Sequence, residues 1–385
     1  MPFEDKDRME RRIEFVVRAA AGVETMTSLC AAFGISRQTG YTWLRRYEQV
    51  GSVGALAEGS RRPHVSPRRT DAGIERRVAE LRAEYGWGAE KIAVLLAREK
   101  CTVPVRTIGH ILKRLGLIAP EEVPQPANKR FERARPNELW QTDFKGEYRS
   151  PHGTCYPLTI LDDHSRFNVG LFALPNIRTE TVFPCFITAF ERHGVPEALL
   201  CDHGAPWYAT HAEHGLTAFA VRLIEQSVRL LHGRPRHPQT QGKIERFHRT
   251  IDRHIAHRGK PEYFDQWQPR LDAFREEYNH VRPHHALELD VPAKRYQNSP
   301  RAYDPAPAAY PYTGDAPVLL VNSAGNINYK GRQYFVSQAL AAKLVQLHEL
   351  NEGLVIRFRH MFVREIDPRT GIGKPILYQP EDNTP

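Results

Sequence analysis

Four prolines fall within the eighteen residues 119–136, APEEVPQPANKRFERARP, and the chain has one texture before them and another after. Proline interrupts a helix and cannot donate to a ladder, so neither a helix nor a central strand runs through such a segment. The 385 residues must therefore divide into separate units, and a norm of roughly 100–200 residues per domain suggests two to four of them.

Ahead of the break, apolar residues recur at helical spacing. Ile13, Phe15, Val16 and Val17 begin one helical segment that Gly22 ends, a second runs from about Thr25 to Phe33, and a third starts at Ser36 as its N-cap. Gly34 supplies the turn, and Trp43, Leu44 and Tyr47 form a buried stripe, which is helix-turn-helix spacing. Arg37, Gln38, Thr39 and Tyr41 lie opposite that stripe near the helix N-terminus, where a recognition helix meets base edges and phosphates. An ordinary three-helix bundle with a solvated polar face explains the same pattern. Residues 71–118 repeat the theme through Ile74, Val78, Leu81, Ile92, Leu95, Leu96, Ile108, Ile111, Leu112 and Leu115, with Arg106 as a candidate DNA contact. Between the two units, GSRRPHVSPRRT sets Arg61, Arg62, Arg68 and Arg69 among Pro and Ser. It reads as an extended basic arm, suited to a minor groove or a phosphate track, or else as a solvated linker.

Charge points the same way. Residues 1–135 hold 25 Lys and Arg against 17 Asp and Glu, while the rest hold 29 against 28. A basic front third attracts a polyanion through counterion release. No run of about 18 apolar residues exists, and the opening MPFEDKDRMERR lacks the apolar stretch of a secretory signal, so a cytoplasmic protein without membrane contact is expected. Cys30, Cys101, Cys155, Cys185 and Cys201 are scattered with no CxxC pair, and should be reduced and chemically idle.

After the break, LWQTDFKGEYR, TCYPLTILDD and FNVGLFAL are apolar, β-branched and aromatic runs separated by turn residues, and read as three successive strands. Thr179 to His193 reads as a helix, VPEALLCD as a buried strand, and Leu216 to Val228 as a helix again. After the turn-rich GRPRHPQTQG, Ile244, Phe247, Ile251 and Ile255 form the stripe of a further helix, with Gln241, Glu245 and Arg249 beside it, and another helix spans about Tyr263 to Asn279. Past residues 299–316, a proline-rich linker, short alternating strands suggest a small β-barrel over 317–380.

Three acids stand where separated elements can converge: Asp143 inside the first strand, Asp202 ending the fourth, and Glu245 on the late helix. Transfer of a phosphodiester between oxygens is served by two Mg²⁺ ions about 4 Å apart, which want carboxylate oxygens. An ionised acid between Trp140 and Phe144 needs a metal or a cation beside it, and a salt bridge to Arg166 or Lys145 would serve as well. Asp162 and Asp163 are rival ligands, but a turn before Ser165 explains them structurally. His203, His237 and His248 fall nearby, His237 and His248 as phosphate contacts if anything, with no zinc-ligand spacing.

WQTDF, LLCDHG and HPQTQGKIERFHRT, in that order, resemble the catalytic core of bacterial insertion-sequence transposases of the DDE group, relatives of retroviral integrases with an RNase H-like fold. The resemblance extends from about Arg135 to Tyr296 and includes LDDHSRF and EEYNHVRPHHAL. It implies a multidomain α/β chain: helix-turn-helix domains at 1–58 and 71–118, linkers at 59–70 and 119–135, an RNase H-like mixed-sheet core at 136–298, and a small C-terminal β-barrel. It further implies that Asp143 bridges two Mg²⁺ ions, with Mn²⁺ able to substitute, and that Asp202 and Glu245 each complete one site. Lys243 and Arg249 would touch the DNA end. The interval of 43 positions from Asp202 to Glu245 is longer than usual for the group, and the surplus is expected in WYATHAEHGL.

The expected activity is that of a transposase: binding the terminal inverted repeats of its element, cleaving to expose 3′-hydroxyls and joining these to target DNA. A DNA-binding regulator or domesticated, non-cutting transposase is the alternative. The expected partners are double-stranded DNA and further copies of the chain, in a homodimer or larger assembly, with room for a helper protein.

Overall fold

The computed structural model describes residues 4–57, 70–118, 132–208, 215–233 and 242–380. They form two compact units, divided between Asp71 and Ala72. The arginines of the basic arm, Arg61, Arg62, Arg68 and Arg69, lie outside the described residues, as do His237, Gln241 and residues 209–214 of the loop expected to hold the surplus.

The first unit is three helices, α1 (Glu4–Ala21), α2 (Met26–Phe33) and α3 (Arg37–Val50). Phe15 is fully buried and meets Phe33 and Trp43 edge-on at ring distances of 5.4 and 5.5 Å. The helix ends follow the capping chemistry of the sequence. Thr25 and Ser36 accept the backbone N–H groups of Ser28 and Thr39, and Gly34 closes α2 at φ +65°. Gly40 sits where α3 crosses its neighbours; a Cβ there would stand 2.7 Å from both Cys30 Sγ and Phe15 Cζ. Only glycine permits so close a crossing.

The second unit begins with α4 (Ala72–Tyr85), α5 (Ala89–Arg98) and α6 (Val105–Arg114), closed around Val78, Leu81, Ile92, Leu96, Ile108 and Leu112. Buried Glu75 is neutralised by Arg114 across this small core.

A mixed sheet follows. Its strands are β1 (Trp140–Phe144), β2 (Tyr148–Ser150), β3 (Gly153–Asp162), β4 (Asn168–Leu174), β5 (Ala198–Cys201) and β6 (Arg229–His232). They lie in the order β2-β3-β1-β5-β6, with β4 also pairing β3. The β1–β3 and β3–β4 pairs are antiparallel, β1–β5 and β5–β6 parallel. Alternation along β3 sends Leu158 and Ile160 to a core shared with α7 (Thr179–His193) and α8 (Ala218–Glu225). Leu161 goes to the other face, against α9 (Gly242–Arg258) and α10 (Trp267–Glu276) through Phe247, Ile251, Trp267 and Phe274. Helices thus cover both faces, as the parallel part of a sheet requires.

Two elements depart from expectation. The helix read as reaching Val228 stops at Glu225, and Ser227 at φ +57° turns the chain into the edge strand β6. The helix read to Asn279 passes at Glu277 into a π-helical turn that ends at Val281.

The expected linker at 299–316 is held against the core. Arg301 donates to the carbonyls of Pro196, Gln226 and Ser227 at 2.5, 2.8 and 2.8 Å. Beyond it run β7 (Val318–Leu320), β8 (Asn326–Tyr329), β9 (Arg332–Phe335), β10 (Leu344–Glu349), β11 (Leu354–Phe358), β12 (Met361–Ile366) and β13 (Gly373–Pro375). The pairings among the described residues do not show the expected barrel closed. Among the described residues the ladder is an open sheet, β13-β12-β11-β10-β7, with β8-β9 a separate hairpin. Closure is unnecessary because Leu347, Ile356 and Val363 join the same buried cluster as Phe219 and Ile224 of the core. No helix among the described residues is long and apolar enough to cross a membrane.

Candidate active site

Asp143 lies on β1, opposite Thr159 of β3, with a quarter of its side chain exposed. Its Oδ1 accepts the Phe144 N–H at 2.8 Å. Neither cation proposed to neutralise it does so. Arg166 is committed to Glu132 at 2.8 Å and to the Asp163 carbonyl, and Lys145 to Asp252 at 3.1 Å. Burial, then the charges of Asp202 and Glu245, push the Asp143 carboxyl up to about 7, against the opposing Phe144 hydrogen bond. The three acids therefore share one electrostatic neighbourhood.

Asp202 follows β5 directly, at the carboxyl end of a parallel strand. Its Oδ1 accepts the Gly204 N–H at 2.9 Å, and Nδ1 of His232 on β6 stands 3.2 Å from its carbonyl. Glu245 projects, exposed, from the first turn of α9, where the helix dipole favours an acid. Arg249 is exposed one turn further along, as are Arg246 and Arg253, which were not singled out from the sequence.

His248 turns inward. Its Nε2 bonds Thr159 Oγ1 at 2.9 Å, and the Thr159 hydroxyl donates to the Asp143 carbonyl at 2.7 Å. Nδ1 stands 4.0 Å from Asp143 Oδ2, yet burial and then Lys145 lower the imidazole to about 4. The ring is neutral, so it supports β1 rather than serving as counter-ion or phosphate contact. Lys243 is likewise turned in. Its ammonium meets Asp163 Oδ1 at 2.5 Å with only 15% of the side chain exposed.

Asp162 and Asp163 are fully buried structural acids. Asp162 accepts Asn137 N–H at 2.7 Å, Ser165 N–H at 2.8 Å and Ser165 Oγ–H at 2.6 Å. Asp163 accepts Arg133 N–H at 2.8 Å and Gln141 Nε2–H at 2.6 Å. Of the acids singled out, Asp143, Asp202 and Glu245 remain, and the charges of Asp202 and Glu245 are felt at Asp143. All their donor atoms are oxygens, which suits a hard divalent cation, and a bound cation would reverse the rise at Asp143. No group of three such side chains among the described residues is already drawn in to coordination distance.

On the first unit, Arg37, Gln38 and Tyr41 are exposed along α3, together with Arg45 and Arg46 one turn on. Thr39 is half-buried and occupied by the Ser36 cap. Arg106 is exposed on the first turn of α6. The five cysteines are free thiols.

Comparison with known proteins agrees with this layout. Residues 133–238 match an integrase core domain and residues 226–292 a second integrase core description. Residues 11–64 match a helix-turn-helix domain and residues 39–112 a homeodomain-like domain. The transposase for transposon Tn552 of Staphylococcus aureus is 23% identical over 273 residues, 60% of this chain and 52% of that protein. The chain thus spans about half the length of that curated relative. The magnesium-bound, dimeric catalytic core of HTLV-2 integrase is similar over 42% of this chain and 97% of its own, at 12% identity and TM-score 0.33. The simian T-cell lymphotropic virus intasome, in complex with PP2A regulatory subunit B56 gamma, is similar over 79% and 100%, at 14% identity and TM-score 0.39. At these TM-scores the two structures carry no argument. Residues 133–292 thus match integrase core domains, behind residues that match helix-turn-helix and homeodomain-like domains, in a chain that is similar over part of its length to a transposase.

Proposed function

We propose that the protein is a metal-dependent polynucleotidyl transferase that cleaves the ends of its own element to free 3′-hydroxyls and joins them to target DNA. The observation that carries this reading is the Asp143 carboxyl, raised to about 7 by burial and by Asp202 and Glu245, with no cation among its described partners. Such a group costs stability and is kept where chemistry uses it. Asp143, Asp202 and Glu245 would hold the divalent ions, Mg²⁺ or Mn²⁺. When bound, the ions supply an activated attacking oxygen and relief of charge on the leaving one.

The chain's own residues have distinct tasks. Thr159 and neutral His248 hold the backbone of β1, and so the bearing of Asp143. Lys243 fixes the first turn of α9 to Asp163, and so the bearing of Glu245. Arg249 would meet a phosphate beside the acid. Arg37, Gln38 and Tyr41 of α3, with Arg106 of α6, would read or track the terminal repeat. Paired ends require at least two copies of the chain on DNA.

A DNA-binding regulator would share the helical units but have no use for an uncompensated Asp143. The discriminating experiment is incubation of the purified protein with Mg²⁺ or Mn²⁺ and a labelled terminal repeat from the DNA flanking its gene. Strand-transfer products support the transferase; binding with no cleavage or joining supports the regulator.

A further inference from the structure

Trp87, in the turn between α4 and α5, is flanked by two cations from distant parts of the chain. Lys91 Nζ stands 5.9 Å from the ring centroid and Arg282 Cζ 5.5 Å. Arg282 follows the π-helical turn, and this part of the chain and α9 both dock on the helices α4–α6. Arg98 Nη1 donates to the Val281 carbonyl at 2.8 Å, and His257 Nε2 of α9 lies 2.9 Å from the Ala83 carbonyl. Arg253, exposed on α9, adds a third positive charge that both Lys91 and Arg282 feel.

The acids nearby, Glu90 and Glu277, offset part of the charge at Lys91 and Arg282, and each also faces other basic groups. Glu90 pairs with His285 at 3.5 Å, and Glu277 with His254 at 3.7 Å and Arg258 at 3.8 Å. Burial first, then Arg282 and Arg253, pull Lys91 down to about 7. Burial also lowers Arg282, and pushes nearby His284 to about 3 with help from Arg282 and Lys91. Gathering half-buried like charges costs free energy that an anion would return. A cation on an aromatic face is also held in place, ready to meet such an anion.

We propose that Lys91 and Arg282 around Trp87, with Arg253 beside them, form a binding site for a backbone phosphate of duplex DNA, between the second helical unit and the acid-bearing helix. A polyanion fits better than a lone phosphate because the charge continues. Arg246 and Arg253 are seven positions apart on the exposed side of α9, two helical turns along one face leading from Glu245 toward Trp87. The site rests on the reading above that this protein works on DNA, and would hold the duplex between its helical reader and the cutting edge.

The test is equilibrium binding of the full chain to a random-sequence 30-base-pair duplex, across about 50–200 mM salt, for wild type, Lys91→Met, Arg282→Met and the double variant. Loss of this one phosphate contact should lower the salt slope by about 0.9, so across that range the double variant should lose roughly three- to fourfold less affinity than wild type. Without DNA, the Met variants should unfold at the wild-type temperature or above it, since they remove buried like charges. A wild-type slope in the double variant overturns the site. If the Met variants instead unfold early, their slopes are read below their unfolding temperatures beside charge-keeping Lys91→Arg: a lowered slope in the Met variants with a wild-type slope in Lys91→Arg supports the site, and equal slopes in all overturn it. A wild-type protein that binds no duplex at all defeats the DNA reading itself, and this site with it; binding with an unaltered slope defeats the site alone.

Discussion

Lys243 Nζ and Asp163 Oδ1 stand 2.5 Å apart, joining the first turn of α9 to the end of β3 two residues before Glu245. The link spans 80 positions and is nearly closed to solvent, with Lys243 15% and Asp163 0% exposed. Burial outweighs the pull of Asp163 and brings the Lys243 ammonium down to about 8. Removing one member of such a pair leaves the other charged and buried, at a cost of about 3–5 kcal/mol. Lys243→Met should therefore lower unfolding free energy by about that amount in denaturant titration, and Lys243→Met with Asp163→Asn should recover much of the loss. Additive losses in the double variant would show that the two do not act as a pair.

The raised carboxyl of Asp143 makes a pH-dependent prediction. Below about pH 4 it is protonated in both folded and unfolded chains and has no effect. Between 4 and 7 the unfolded chain ionises while the folded one keeps its proton, so metal-free protein loses stability as pH rises. Above 7 the penalty is constant. Asp143→Asn should be more stable than wild type at pH 8, by an amount on the order of 2–4 kcal/mol, with the gap closing toward pH 4. Chemical denaturation of both proteins across that range, in chelator, measures it. A destabilised variant at pH 8 would mean the carboxylate has a cationic partner in the fold.

Gly40 tests the three-helix reader. A side chain there meets Cys30 Sγ and Phe15 Cζ at 2.7 Å, and neither is the free end of a surface chain. Gly40→Val should destabilise the α1–α3 packing by about 1–3 kcal/mol. Hydrogen exchange on the full chain would read this as roughly tenfold or faster exchange of α1–α3 amides, with residues 72–385 unaffected.

On α3, Arg37→Ala and Gln38→Ala should differ from changes at Arg45 or Arg46. Side chains that read base edges cost about 1–3 kcal/mol on the correct site and relax its specificity, whereas phosphate contacts weaken all duplexes alike. Competition binding between the terminal repeat and a scrambled duplex separates the two, and equal losses on both for Arg37→Ala would remove it from the base-reading set.

Much of this was legible in the chain itself, for reasons that local chemistry explains. Ser36, Thr25 and Gly34 announce their helix ends because a cap is a local interaction. Asp143 stood out because an acid in WQTDF contradicts its neighbours. The turn before Ser165 accounts for Asp162, which accepts the Ser165 N–H and Oγ–H, whereas Asp163 is held by Arg133, Gln141 and Lys243 instead. What was not legible concerns partners far away in sequence. Nothing near Lys243 and His248 in the chain announces their bonds to Asp163 and Thr159 across the fold. RLLH, four residues long, follows the expected helix without a pattern of its own and becomes a strand only where β5 pairs with it. The C-terminal strands are visible from their alternation, but closure depends on whether another surface buries their apolar face, and here the core does.

The central claim is that Asp143, Asp202 and Glu245 act as one metal centre, and its most direct measurement is joining of a labelled terminal repeat to target DNA by Asp143→Asn, Asp202→Asn and Glu245→Gln proteins with Mn²⁺. The account predicts that each single change abolishes cleavage and joining, by roughly 10³-fold or more, while binding of the repeat stays within a few-fold of wild type. Joining at the wild-type rate by any one of the three would contradict it.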